Sequence, residues 1–156
     1  MNFTQHLLVD GANILHAWPE LRALLKRDRT AARSQLARRV AAIHDGEQVR
    51  VTVVFDGRGP ELVMERPSNQ VTFSVLHTPA SQTADDVIEQ LVGKSAEPVS
   101  CIVATDDQAE RQTVAATGAR AITSGDLAAW VRRAEARQGA SMQELRQANA
   151  RKWRGP

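Results

Sequence analysis

Short apolar runs that end at aspartate or glycine alternate along the chain with longer stretches in which apolar residues return every three or four positions. His6 to Val9 predicts a short buried strand ending at Asp10, where Gly11 permits a tight turn toward Asn13. Pro19 suits the first turn of a helix through Leu21, Leu24 and Leu25. From Thr30, a cap candidate, Leu36, Val40 and Ile43 recur at spacings of four and three and predict a helix that stops near Gly46. Its opposite face carries Arg33, Arg38 and Arg39. Val49 to Phe55 predicts a strand closed by Asp56-Gly57, and Val71 to Leu76 predicts another. Thr83 caps a predicted helix whose apolar face is Val87, Ile88, Leu91 and Val92, with Asp85 and Asp86 complementing its N-terminal dipole. Val99 to Ala104 is the next predicted strand, and Thr105-Asp106-Asp107 opens a helix ending at Gly118. After a short strand from Ala119 to Ile122, Ser124 or Asp126 caps a helix from Leu127; Gly139 and Ser141 are expected to break it and restart a basic helix to about Trp153. Strands separated by helix-length segments predict an α/β fold with a mostly parallel sheet covered on both faces.

A length of 156 residues fits one domain, here residues 1–138, with 139–156 as a basic helix and tail packed on it or extending from it. The run Leu7-Leu8-Val9 is too short for a signal-peptide core or a membrane span, so a cytoplasmic protein without membrane association is expected. The lone Cys101 sits in an apolar run and offers neither a disulfide nor a zinc site. Net charge is only +2, but its distribution is uneven. Fourteen of the 20 Lys and Arg residues fall in residues 22–39 and 132–154, which contain only Asp28, Glu135 and Glu144 as acids. Basic flanks beside an acidic centre suit a polyanion held across a metal site, although either stretch alone reads better as a solvated helix face.

Asp10, Asp56, the pair Asp85 and Asp86, and the pair Asp106 and Asp107 all stand where strands should end or helices begin. Each has a structural explanation as a turn or capping residue. If the strands are parallel, however, their carboxyl ends share one sheet edge and the acids converge. Such a cluster needs a cation or a shared proton, and carboxylates without Cys or His ligands suit a hard divalent ion. Glu89, one helical turn beyond Asp85, and Glu110, three residues beyond Asp107, are placed to support the waters of a metal shell.

Asp10-Gly11-Ala12-Asn13-Ile14-Leu15, Thr83-Ala84-Asp85-Asp86-Val87-Ile88-Glu89 and Val103-Ala104-Thr105-Asp106-Asp107-Gln108-Ala109-Glu110 resemble the successive motifs of the YacP-type NYN domain, a branch of the PIN-like ribonuclease superfamily. The resemblance implies a single-domain PIN-like α/β/α sandwich, an acidic site for a divalent metal, and action on RNA, including ribosome-associated mRNA cleavage. By motif, Asp10, Asp85 and Asp107 match the main acidic positions, and Asn13 matches the polar residue that orients the first loop. Asp106 stands where a small hydroxyl residue is frequent, which leaves open which of Asp106 and Asp107 faces the metal. Ala12 replaces a common tyrosine and Gln82 a frequent acid; no core carboxylate is lost.

These features predict a Mg²⁺- or Mn²⁺-dependent endoribonuclease in which Asp10, Asp85, Asp106 and Asp107 supply metal ligands, and Asp56, Asp86, Glu89 and Glu110 support them. Arg33, Arg38, Arg39, Arg151, Lys152 and Arg154 are the candidate RNA contacts, and Trp153 either stacks on a base or anchors the tail. The competing expectation is a non-catalytic RNA- or ribosome-binding module with the same fold. A phosphoacceptor receiver domain fits less well, because Thr123-Ser124-Gly125 follows the strand after the acidic centre without the lysine such switches use. A haloacid-dehalogenase-like phosphatase would need Asp-x-Asp after the first strand, where Asp10-Gly11-Ala12 stands.

Overall fold

The computed structural model describes residues 3–153, with the side chain of Trp153 left out. In chain order the elements are β1 (His6–Asp10), α1 (Gly11–Ala17), α2 (Pro19–Arg27), α3 (Arg29–Glu47), β2 (Arg50–Phe55), β3 (Val63–Glu65), β4 (Phe73–His77), α4 (Ala84–Lys94), β5 (Cys101–Ala104), α5 (Gln108–Ala116), β6 (Arg120–Ile122) and α6 (Ser124–Trp153). The six strands form one sheet in the order β3-β4-β2-β1-β5-β6, parallel throughout except for the antiparallel edge strand β3.

Two-residue periodicity divides the core into two layers. Leu7 and Val9 of β1, Val51, Val53 and Phe55 of β2, and Ile102 and Ala104 of β5 pack under α1, α2, α3 and α6. Leu8, Val54, Cys101 and Val103 face the smaller layer beneath α4 and α5. The central strands are thus apolar on both faces, as a parallel sheet between helices requires. Connections run from β1 to one side of the sheet and from β5 to the other, so the direction of winding reverses between these neighbours. The carboxyl ends flanking this switch are Asp10 and the Thr105-Asp106-Asp107 turn, where an open α/β sheet leaves its crevice.

Several local expectations are corrected. Gly11 opens a helix rather than a turn; a side chain there would overlap the Phe55 ring, so the glycine is required by packing. Asp28, not Thr30, caps α3 by accepting the Ala31 N–H at 3.0 Å. Strand β4 begins at Phe73 because Val71 is exposed, and β5 begins at Cys101 after a 3-10 turn over Pro98–Ser100. Helix α6 passes through Gly139 and Ser141 without a break. Nothing lies within 4 Å of where a Gly139 side chain would start, and an exposed helical glycine costs only about 1 kcal/mol relative to alanine, which neighbouring helix formers carry. Its start is set by a reciprocal pair: Thr123 Oγ1 accepts the Asp126 N–H at 3.0 Å and the Asp126 carboxylate accepts the Thr123 N–H at 3.1 Å. Leu127, Val131 and Ala134 bury its first half, whereas residues 139–152 are exposed. Among the described residues no helix is long and apolar enough to cross a membrane.

Candidate metal centre

Three acids from three elements converge at the sheet switch: Asp10, Asp85 and Glu110 each offer a carboxylate oxygen, all within 4.8 Å of one another. Asp10 ends β1 and caps α1, its Oδ1 accepting the Asn13 N–H at 3.4 Å. Its Oδ2 accepts the Thr105 hydroxyl at 3.4 Å, tying the β1 and β5 loops together. Asn13 completes that tie, its side-chain carbonyl accepting the Asp106 N–H at 2.8 Å. Asp85 lies in the first turn of α4, where Thr83 and Asp86 form a capping box. The same turn is fixed laterally by Asp56, whose Oδ1 accepts the Ala84 N–H at 2.9 Å. Glu110 lies in the first turn of α5, where Asp107 Oδ1 accepts its N–H at 3.0 Å.

Burial makes this trio electrostatically costly. Asp10 is 6% exposed and Glu110 3%, and neither Glu110 oxygen has a hydrogen-bond partner. Burial, reinforced by Asp10 and Asp85, pushes the Glu110 carboxyl up to about 10. Burial also raises Asp10; the neighbouring Glu110 carboxyl and then the Asn13 N–H oppose the shift, and Asp85 and Asp56 add to it. Without a cation, Glu110 is therefore neutral at physiological pH, its proton directed at the neighbouring carboxylates of Asp10 and Asp85. An all-oxygen donor set with two orphaned buried acceptors fits a hard divalent cation, whose charge reverses the penalty for ionisation.

The third carboxylate facing Asp10 and Asp85 is thus that of Glu110, while Asp106 and Asp107 make other contacts. Asp107 is spent on the α5 cap, and both Asp106 carboxylate oxygens accept from Ser124, from its N–H at 2.7 Å and its hydroxyl at 2.6 Å. Asp56 lines the mouth of the centre with Asp10, Asn13, His16 and Asp85. Asp86 closes the capping box, and Glu89 is exposed on a shallow face beside Ser81 and Gln90. His77 pairs with Glu65 at 3.4 Å rather than joining the acids.

The basic candidates separate in space. Arg39 is held between Glu20 at 3.1 Å and Glu135 at 3.2 Å, and Arg38 is exposed. Arg33 donates to the Asp56 carbonyl at 3.1 Å and so reaches the edge of the acidic mouth. Arg151 and Lys152 are exposed on the projecting end of α6; Arg154 and the Trp153 side chain lie outside the described residues. Sequence pattern alone missed the Thr105 hydroxyl, which bridges Asp10 and the Asp107 N–H; its place as the first residue after a buried strand is the available signal.

Fold and acidic centre together define a PIN-like α/β nuclease domain, and the chain belongs to the YacP-like NYN domain family, whose model matches residues 7–155. NYN domains are generally nucleases. The uncharacterised protein YacP of Bacillus subtilis (strain 168) is 33% identical over 114 residues, spanning 72% of this chain and 66% of that protein. The chain therefore aligns with just under two thirds of that relative's length. Two crystal structures of Rae1 (YacP) from Bacillus subtilis superpose with TM-scores of 0.76, for a W164L mutant, and 0.74, each at 28% identity. They cover 92% and 96% of this chain and 84% of theirs.

Proposed function

We propose that this protein is a Mg²⁺- or Mn²⁺-dependent endoribonuclease whose cation is held by Asp10, Asp85 and Glu110. The observation that carries this reading is Glu110: a buried carboxyl with no N–H or hydroxyl donor, facing two further acids at the switch point of a nuclease fold. Stability alone gives no reason to gather two buried acids and a half-buried one, because their mutual repulsion and desolvation both oppose folding. A bound divalent cation supplies a water of lowered pKa and stabilises charge on the scissile phosphate and leaving oxygen.

The protein's own groups then have distinct tasks. Asp10, oriented by the Asn13 N–H and the Thr105 hydroxyl, and Asp85, set by the capped start of α4, present fixed oxygens. Asp107 acts one step back, holding the α5 turn that aims Glu110. Hydrolysis forms a P–O bond to water and breaks the P–O3′ bond, leaving a 5′-phosphate and a 3′-hydroxyl. Arg151 and Lys152 on the exposed end of α6, with Arg38 and, beyond the described residues, Arg154, would hold RNA phosphates, and mRNA on the ribosome in the cytoplasm is the proposed setting.

The test is incubation of purified protein with structured and unstructured RNAs, with and without ribosomes, in Mg²⁺, Mn²⁺ or EDTA. Cleavage that requires metal and is abolished by Asp85→Asn is expected. RNA binding without metal-dependent cleavage under every condition would leave a non-catalytic binding module.

A further inference from the structure

Between α3 and the β3–β4 edge lies a groove of about 700 Å³, separate from the acidic mouth. Its walls carry Arg33 and Arg38 from α3 and Arg66 from the loop after β3, and the buried core residues Phe55, Phe73 and Val75 close its floor. One acid, Glu65, faces it, and that carboxylate is paired with His77. We propose that this groove is a nucleotide subsite for the RNA strand, holding one unpaired nucleotide next to the scissile phosphate; the proposal rests on the endoribonuclease reading above.

Three features converge on that occupant. Exposed cations on the walls of a groove with an apolar floor suit a phosphate together with the nucleoside it carries, and the volume falls within the range of pockets that enclose a small ligand. Arg33 is preorganised: its guanidinium carbon lies 4.9 Å from the centroid of the Phe55 ring, it donates to the Asp56 carbonyl, and its Nε has no hydrogen-bond partner. Burial, with Arg29 adding, lowers its pKa, so an arriving phosphate would stabilise a charge now held at a cost. Finally, Asp56 joins groove to centre. Its carbonyl is bound by Arg33 on the groove side, while its carboxylate holds Ala84 beside Asp85. A strand lying across Asp56 would place one nucleotide in the groove and the adjoining phosphate at the acids, and the groove cations would offset the repulsion that the acids exert on RNA.

The experiment is fluorescence-anisotropy titration of a short single-stranded RNA in EDTA, where cleavage is suppressed, over a range of salt. Both Arg38 and Arg66 are exposed, so the double variant Arg38→Ala/Arg66→Ala should keep its fold, checked by thermal melting. Its affinity is expected to fall about 10- to 100-fold, and the slope of log K against log salt should shrink by about 1.4, the value for two phosphate contacts on a single strand. The paired lysine variant should keep most of the slope. The control Arg22→Ala/Lys26→Ala, exposed positions on α2, should stay within about twofold, since generic charge loss alone acts weakly at a distance. Equal losses in the groove and control variants, or no loss in the former, would overturn the subsite. So would saturable AMP binding that RNA does not compete away, because the groove would then serve a free nucleotide. If groove variants weaken RNA binding but wild-type protein never cleaves, the nuclease reading fails and the groove stands. If cleavage needs Asp85 while groove variants bind normally, the groove alone fails.

Discussion

Replacing Glu110 with glutamine should make the metal-free protein more stable while removing its response to metal. Glu110 titrates near its ordinary 4.5 when unfolded and at about 10 when folded. A carboxyl raised in this way contributes its full stability below the unfolded value and loses it as pH climbs toward the folded one. At neutral pH the unfolded chain has already released the proton that the native state retains. Each pKa unit is worth about 1.4 kcal/mol, so the penalty at pH 7 is at most about 3–4 kcal/mol. Solvent at the mouth of the cleft screens part of this, leaving about 1–2 kcal/mol. Glutamine is neutral in both states and escapes the penalty. In a chain of this size 1 kcal/mol moves the melting temperature by about 2–4 °C, so Glu110→Gln should melt roughly 2–8 °C above wild type in EDTA at pH 7 to 8. The gain should vanish near pH 4.5. Adding Mn²⁺ should raise the wild-type melting temperature and leave the variant's unchanged. Differential scanning fluorimetry across pH, with and without Mn²⁺, reads all of this. A variant that melts below wild type in EDTA yet keeps the Mn²⁺ shift would show that Glu110 is a packing residue and that the cation, if any, sits elsewhere.

Other consequences follow from the same geometry. Because the Glu110 proton must leave before a cation is held, Mn²⁺ affinity measured by titration should rise about tenfold per pH unit between pH 6 and 8; a flat profile would remove Glu110 from the site. Asp85→Asn should abolish cleavage with little change in melting temperature, since the capping box is built from Thr83 and Asp86, and wild-type turnover by this variant would refute the ligand set. Asp107→Asn keeps a capping oxygen and should retain far more activity than Asp85→Asn in the same assay; equal loss would make Asp107 a ligand rather than a positioning residue. Gly11→Ala, whose methyl would overlap the Phe55 ring and approach the Val54 carbonyl, should cost about 1–3 kcal/mol in denaturant melts, and a neutral result would contradict the packing of α1 on β2.

The sheet was readable because its strands are apolar runs closed by polar turns, and β1, β2, β4 and β5 fall within two residues of where that pattern puts them. Helix α1 was hidden by an Asp-Gly that reads as a turn until Phe55 is known to pack against the glycine. Strand β3 has no signal of its own, since Val63, Met64 and Glu65 are exposed and pair only on one edge. The continuity of α6 was obscured by Gly139, whose helix-breaking tendency is too small to act without a partner signal. At the centre, Asp10 and Asp85 were apparent from their motifs. The third, Glu110, was read only as a supporting acid, because whichever residue caps α5 is turned toward the backbone and cannot also face the cleft. With Asp107 as cap, Glu110 is brought one turn on to the centre, a consequence of helix phase that adjacent aspartates in a sequence do not disclose.

The most direct measurement is chemical analysis of the RNA ends made by wild-type protein in Mn²⁺ and by Asp10→Asn, Asp85→Asn and Glu110→Gln. A metal centre built from these three acids predicts 5′-phosphate and 3′-hydroxyl ends from wild type only in the presence of the cation, and none from any of the variants. Ends bearing a 2′,3′-cyclic phosphate, or cleavage that persists in EDTA or in the acid-to-amide variants, would contradict it.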